Sequence, residues 1–261
     1  MDHRVLWGLL ATLGTWLMTA LGALIVLILP GMGRKLLNSM LGFASGVMIA
    51  ASFWSLLQPA IERAEKGPLP PWLVATLGFL AGTLFIWLTD KTAAAVRRNA
   101  GSPRPGSSGR VLMLVLSITL HNIPEGLAVG VAFGALPKGD PEALMAAVSV
   151  AVGVGLQNFP EGAAVSLPLR REGASKWHSF LIGQASALVE PIAGVVGAML
   201  VSSVETLLPY ALSFAAGAMI LVAVHELIPE CQSDREGCSY FSTGGIILGF
   251  AAMMLLDVML G

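Results

Sequence analysis

Two short phrases hold most of the chemistry this chain could do. His121-Asn-Ile-Pro-Glu-Gly126 and Gln157-Asn-Phe-Pro-Glu-Gly162 both lie inside otherwise apolar stretches. Each sets a ligand-type side chain, an amide and a carboxylate at positions i, i+1 and i+4, and on a helix i and i+4 share one face. A charged side chain at the centre of a bilayer costs about 2.5–3.5 kcal/mol on insertion scales, so it calls for pairing or a bound cation. On neighbouring helices, the phrases read as the two halves of one cation site.

Further acids extend the pattern. Glu190 lies in Gly183-Gln-Ala-Ser-Ala-Leu-Val-Glu-Pro191, again a carboxylate followed by proline within an apolar run. The plainer reading is a carboxyl bonded to a neighbouring helix. Three convergent carboxylates with no Lys or Arg nearby in sequence would repel one another, and a divalent cation resolves that repulsion. His225-Glu226-Leu-Ile-Pro-Glu230 and Asp90 share a depth near one surface. They could form an exit site for a cation, or simply solvate a helix end. Ser52, Ser55, Gln58 and Glu62 recur every three to four residues, as a polar stripe leading inward or as serine-mediated packing.

These residues need membrane helices to position them. Apolar residues make up 55% of the chain and charged residues 12%, and a span needs roughly 20 apolar residues. Eight such runs are legible, at about 5–29, 35–61, 71–93, 111–136, 141–168, 175–203, 207–229 and 242–260. The expected fold is therefore all-α and polytopic, one transmembrane unit over 1–261 with nothing left for a soluble domain. The first run lacks a small-residue cleavage site and reads as a retained helix. The segment 94–110 is rich in Gly, Ser, Pro and Arg and is expected to be a flexible cytoplasmic loop. It contains Arg97, Arg98, Arg104 and Arg110 without an acid. Arg34, Lys35, Arg170, Arg171 and Lys176 lie in turns on the same side, so the positive-inside rule puts both termini outside. A bacterial inner membrane is the expected setting. The acidic 231–241 loop is the one exception. Cys231 and Cys238 lie in it and should stay reduced in the cytoplasm; their spacing alone is a weak metal signal.

Orientation sets depth. His121 and Glu125 lie ten and fourteen residues from the inner end of the fourth span, Gln157 and Glu161 eleven and seven from that of the fifth. At about 1.5 Å per residue the two sets overlap in height, and antiparallel neighbours can bring them face to face. Pro124 and Pro160 lack an N–H and crowd the carbonyls of Leu120 and Leu156, so a kink is expected in each helix at the centre of the bundle. Gly126 and Gly162 then permit close helix approach.

With the phrases GQASALVEP and HELIPE, these residues resemble the signature helices of the ZIP family of divalent metal transporters, most closely the bacterial GufA-like branch. The resemblance covers essentially the whole chain. It implies a binuclear transport site. One metal would lie among His121, Glu125, Gln157 and Glu161; the second would lie among Asn122, Glu125, Asn158, Glu161 and Glu190. Many members have His where this chain has Gln157, and an acid is common where it has Asn158. The His-rich cytoplasmic loop of many relatives is absent from 94–110.

One imidazole with carboxylate and amide oxygens suits Zn²⁺, and also Cd²⁺, Fe²⁺, Mn²⁺ or Co²⁺. The metal is cargo, not a resident cofactor, and the other expected partner is the lipid bilayer. No nucleic-acid partner is expected, and a homodimer is left open. No GxxxxGK[ST] phrase occurs, which argues against ATP drive. The expected function is a secondary transporter carrying the metal into the cytoplasm; a facilitative channel with the same site is the near alternative. An integral-membrane metalloenzyme would also need intramembrane His and carboxylates. However, the chain has four histidines, and His225-Glu226 lacks the second His of an HExxH phrase.

Overall fold

In lipid every backbone group must find its partner within the protein, so apolar runs of this length fold as helices. A computed structural model describes residues 2–28, 33–99, 108–137, 139–232 and 239–260, without the side chains of 93, 94, 96–99, 108–118, 205 and 239. It is all-α, with no strand among the described residues. The helices are α1 (His3–Ile28), α2 (Arg34–Ala64), α3 (Pro71–Asn99), α4 (Ser108–Gly134), α5 (Pro141–Arg171), α6 (Lys176–Ser203), α7 (Leu208–Cys231) and α8 (Ser239–Leu260). Seven of the described helices are long and apolar enough to cross a membrane. The remaining expected span, 111–136, falls on α4, whose first half has side chains outside the described residues.

The expected loop 94–110 is shorter than its composition implies. Helix α3 continues to Asn99 and α4 begins at Ser108. Hydropathy marks where lipid ends, whereas a helix can run on into water, and the alanines at 93–95 favour that. Residues 100–107 and Cys238 lie outside the described residues.

Local signals set the helix ends. Asp140 accepts the backbone N–H groups of Glu142 and Ala143, both at 3.1 Å, with Pro141 in the first turn of α5; this is a strong N-terminal cap. At the other end Gly173 takes φ +97° and Ala174 N–H reaches back to the Leu169 carbonyl, the left-handed stop that glycine permits.

Prolines mark departures from α geometry. Pro124 and Pro160 sit within unbroken helices. Wide turns instead precede Pro59 and Pro229: Gln58 N–H bonds the Phe53 carbonyl and Ile228 N–H bonds that of Ala223. These five-residue π turns accommodate the missing proline donor. Helix α6 breaks outright between Ala185 and Val189, just before Pro191. There Leu188 N–H bonds Ala185 and Glu190 N–H bonds Ala187, which leaves the carbonyls of Gln184 and Ser186 without their usual i+4 donors. Side chains replace them: Trp16 Nε1 donates to Gln184 at 3.1 Å and Asn122 Nδ2 to Ser186 at 3.0 Å.

The helices pack in close pairs, α1 with α5, α4 with α6, α2 with α8 and α3 with α7. Small residues make the approach. A Cβ on Gly126 would meet the backbone of Glu190, and one on Gly130 or Gly134 would collide with Gly194 or Ala198. The small-xxx-small spacing thus holds α4 on α6. Large apolar side chains such as Trp7, Leu17, Trp72, Leu80 and Ile247 face outward, while Thr12, Thr15, Thr19 and the acids of the twin phrases are buried.

Candidate metal centre

The central cluster is assembled from four helices. From α4 and α5 the twin phrases meet as their depths require: Gln157 Nε2 donates to Glu125 Oε1 at 2.5 Å. From α6 comes Glu190, placed by the break before Pro191. Asn158 Nδ2 donates to both its oxygens, at 2.8 and 2.9 Å, and Thr15 Oγ1 of α1 donates to Oε2 at 2.5 Å. Asn158 Nδ2 also reaches the Thr15 carbonyl at 3.2 Å. Glu125, Gln157 and Glu190 are fully buried, Asn122 and Asn158 nearly so, and Glu161 is 6% exposed. Glu125, Glu161 and Glu190 lie close enough to act on one another's charge.

The amide nitrogens are spent on protein, and the oxygens are left over. Asn122 Oδ1, Glu125 Oε2, Gln157 Oε1, Asn158 Oδ1 and Glu161 Oε1 are buried with no hydrogen-bond partner. Buried polar atoms are overwhelmingly satisfied in folded proteins. Five orphaned acceptors in one acidic pocket, with no Lys or Arg pairing them among the described residues, have the chemistry of a cation cradle. This arrangement can take up a hard or borderline divalent ion. It offers no thiolate.

His121 has a different neighbourhood from the one expected. Its Nε2 lies 2.5 Å from Glu226 Oε1, and Asp90, His121 and Glu226 place ligand atoms within 4.8 Å of one another. Thus α4, α3 and α7 form a second cluster in which His121 joins two of the expected exit residues. His225 and Glu230 are exposed and stand outside that group. The π turn over Ala223–Leu227 explains the rearrangement. Glu226 lies within it, and the extra residue of such a turn shifts azimuth from α-helical register by up to about 100°, which depth counting cannot supply.

At the opposite end a cavity of about 540 Å³ is lined by Ser55, Gln58, Glu62, Asp140, Glu142 and Asp257, among others. Both serines near Asp257 donate to it: Ser55 Oγ at 2.8 and 2.9 Å, Ser149 Oγ at 2.8 Å. Ser52 instead is buried and donates to the Met48 carbonyl, so the stripe on α2 divides into a packing serine and three cavity-lining residues. Sequence reasoning missed Asp257 and Thr15. Their signals were an acid within the last apolar run, and threonines at 12, 15 and 19 on one face of α1.

Fold and site together define a class: a polytopic helical membrane protein with acids and amides gathered at its centre. A family model described as "ZIP Zinc transporter" matches residues 5–111 and 97–257. The chain is 40% identical to the zinc transporter ZIP11 of Xenopus tropicalis, over 98% of each chain. It is 38% identical to the zinc transporter GufA of Myxococcus xanthus, over 97% of this chain and 99% of that one. It is 37% identical to the zinc transporter ZIPB of Bordetella bronchiseptica, over 93% of this chain and 78% of that one. The chain belongs to the ZIP zinc transporter family.

Proposed function

We propose that the chain carries Zn²⁺ into the cytoplasm, held on the way by the orphaned oxygens of the central cluster. Those five oxygens are the observation that carries the reading. Glu125 and Glu161 supply charge from both phrases, Asn122, Gln157 and Asn158 supply neutral oxygens, and Glu190 closes the site from α6. With two carboxylates shared, one or two ions fit the same donors. His121, Asp90 and Glu226 form the next station toward the cytoplasm, where an imidazole and two carboxylates suit zinc. The vestibule around Asp257 is the opposite mouth.

In this reading all eight helices span the bilayer, both termini lie outside a bacterial inner membrane, and the protein is a carrier rather than an enzyme. The central cluster belongs to α1, α4, α5 and α6, whereas Asp90 and Glu226 belong to α3 and α7. The His121–Glu226 contact therefore ties two sets of helices together. Sliding of one set past the other would break that contact and change which mouth the site faces, as repeat-built transporters do.

The test is zinc flux into proteoliposomes of the purified chain, with Cd²⁺, Fe²⁺, Mn²⁺ and Co²⁺ in parallel. Saturable zinc uptake is the expected result. Flux that stays linear in zinc would favour a channel. No flux of any divalent ion, from correctly inserted protein, would refute the reading.

A further inference from the structure

A second cavity lies at the same end of the bundle as both termini and has the opposite character from the vestibule. Its volume is about 620 Å³, within the range of small-molecule sites. Its basic residues are Arg4, Arg63 and Lys66, its other polar side chains Thr206 and Tyr210, and among the described residues no carboxylate lines it. The rest is apolar, including Leu69, Leu136, Val201, Leu207 and Pro209. Each wall follows from a helix end: the turn closing α2, the 135–137 segment after α4, and the start of α7.

The charges here are not all compensated. Arg4 is paired with Asp2, guanidinium to carboxylate at 3.2 Å; that residue's backbone N–H, with its side chain, holds the Asp2 carboxyl below its usual range. Arg63 and Lys66 form no ion pair among the described residues. Glu62 beside them is bonded by Gln58 Nε2 at 3.1 Å and lines the other cavity. The depth is also fixed. Trp7 and Trp72, in the opening turns of α1 and α3, are 50% and 68% exposed, as expected of indoles at a headgroup boundary. Leu69 and Leu207 are also exposed, so the cavity opens where acyl chains begin.

We propose that this cavity binds the headgroup of an anionic phospholipid, with its phosphate between Arg63 and Lys66 and Arg4 behind them. Charge complementarity selects the ligand. A guanidinium donates to phosphate oxygens in a fork, and the ammonium adds a mobile second charge. The glycerol end and the first acyl carbons lie against Leu69, Leu136 and Leu207. Arg63 also lines the vestibule. A phosphate on it would reduce the positive field at the mouth of a cation pathway. That last consequence rests on the proposed transport; the binding does not.

The test uses the full chain, purified in neutral detergent and offered equal amounts of phosphatidylglycerol and phosphatidylcholine, with retained lipid read by native mass spectrometry. We expect phosphatidylglycerol to be retained over phosphatidylcholine by about tenfold or more. In R63Q/K66Q that preference falls to within about twofold, and in R63K/K66R, which keeps both charges, it survives. Inorganic phosphate at the concentration of the lipid should not displace it, because the apolar wall has nothing to hold. Equal retention of both lipids would overturn the proposal, as would an undiminished preference in R63Q/K66Q. Full displacement by inorganic phosphate would also overturn it, by showing a free-anion site. Zinc flux is not the readout, so a failure here is distinct from a failure of transport.

Discussion

The central and second clusters use the same kinds of atoms in different surroundings. At the centre, Glu125 and Glu190 are fully buried, donors from Gln157, Asn158 and Thr15 orient them, and five oxygens are left over. In the second cluster Asp90 and Glu226 are only partly buried, Glu226 lies 2.5 Å from the His121 imidazole, and Asp90 offers an oxygen within 4.8 Å of both. The first arrangement is incomplete without a cation. The second already holds a short His121–Glu226 contact without a cation, and water can compete there. A transporter needs both kinds, one to capture and one to let go. The difference places the energetic burden of transport at the centre.

Removing central charge should have the largest effect. Glu125→Gln and Glu161→Gln keep shape, and each should cut zinc uptake in proteoliposomes at least about tenfold, the equivalent of about 1.4 kcal/mol. Wild-type flux in both, at equal insertion, would mean the orphaned oxygens are not the site. Packing comes next. Gly130→Val would push a side chain into the backbone of Gly194, an overpacking of the kind that costs about 1–3 kcal/mol. Yield and melting temperature in detergent should fall, while the remote Gly14→Val, whose Cβ meets nothing, should be near neutral.

Smaller effects separate the donors from the ligands. Thr15→Val removes a hydroxyl bonded to a buried carboxylate, a bond of about 1.5–3 kcal/mol to a charged group. Zinc affinity should change measurably, and Thr15→Ser should restore it; equal affinities in all three proteins would show that the hydroxyl does not position Glu190. At the second cluster, Glu226→Gln should alter the maximal rate of zinc flux more than its half-saturation. His225→Ala should leave both near wild type, since His225 stands outside the group. The reverse order of effects would show that the sequence grouping, not the three-residue cluster, describes the second station.

Much of this was legible before any coordinates. Period and length located the helices, with α3 running on to Asn99 past its expected end at 93, and the i, i+4 spacing with antiparallel depths foretold that Gln157 and Glu125 would meet. Glu190 was readable because an acid before a proline in an apolar run needs a reason. What stayed hidden was rotation about helix axes. The π turn at Ala223–Leu227 turned Glu226 toward His121, the one before Pro59 lies where Ser55 meets Asp257, and neither turn has a sequence mark beyond its following proline. Thr15 was hidden for another reason. A threonine on an apolar helix bonds its own backbone as readily as a neighbour; Thr15 does both, donating within reach of the Thr12 carbonyl and to Glu190.

A bound zinc at the centre can be seen directly. Crystals of the full chain grown with zinc should show anomalous density at the zinc edge between the carboxylates of Glu125 and Glu161, bordered by the oxygens of Asn122, Gln157 and Asn158. The same density should be lost in Glu125→Gln/Glu161→Gln crystals grown alongside. Zinc found only at Asp90, His121 and Glu226, with the central oxygens unligated at saturating metal, would contradict the account.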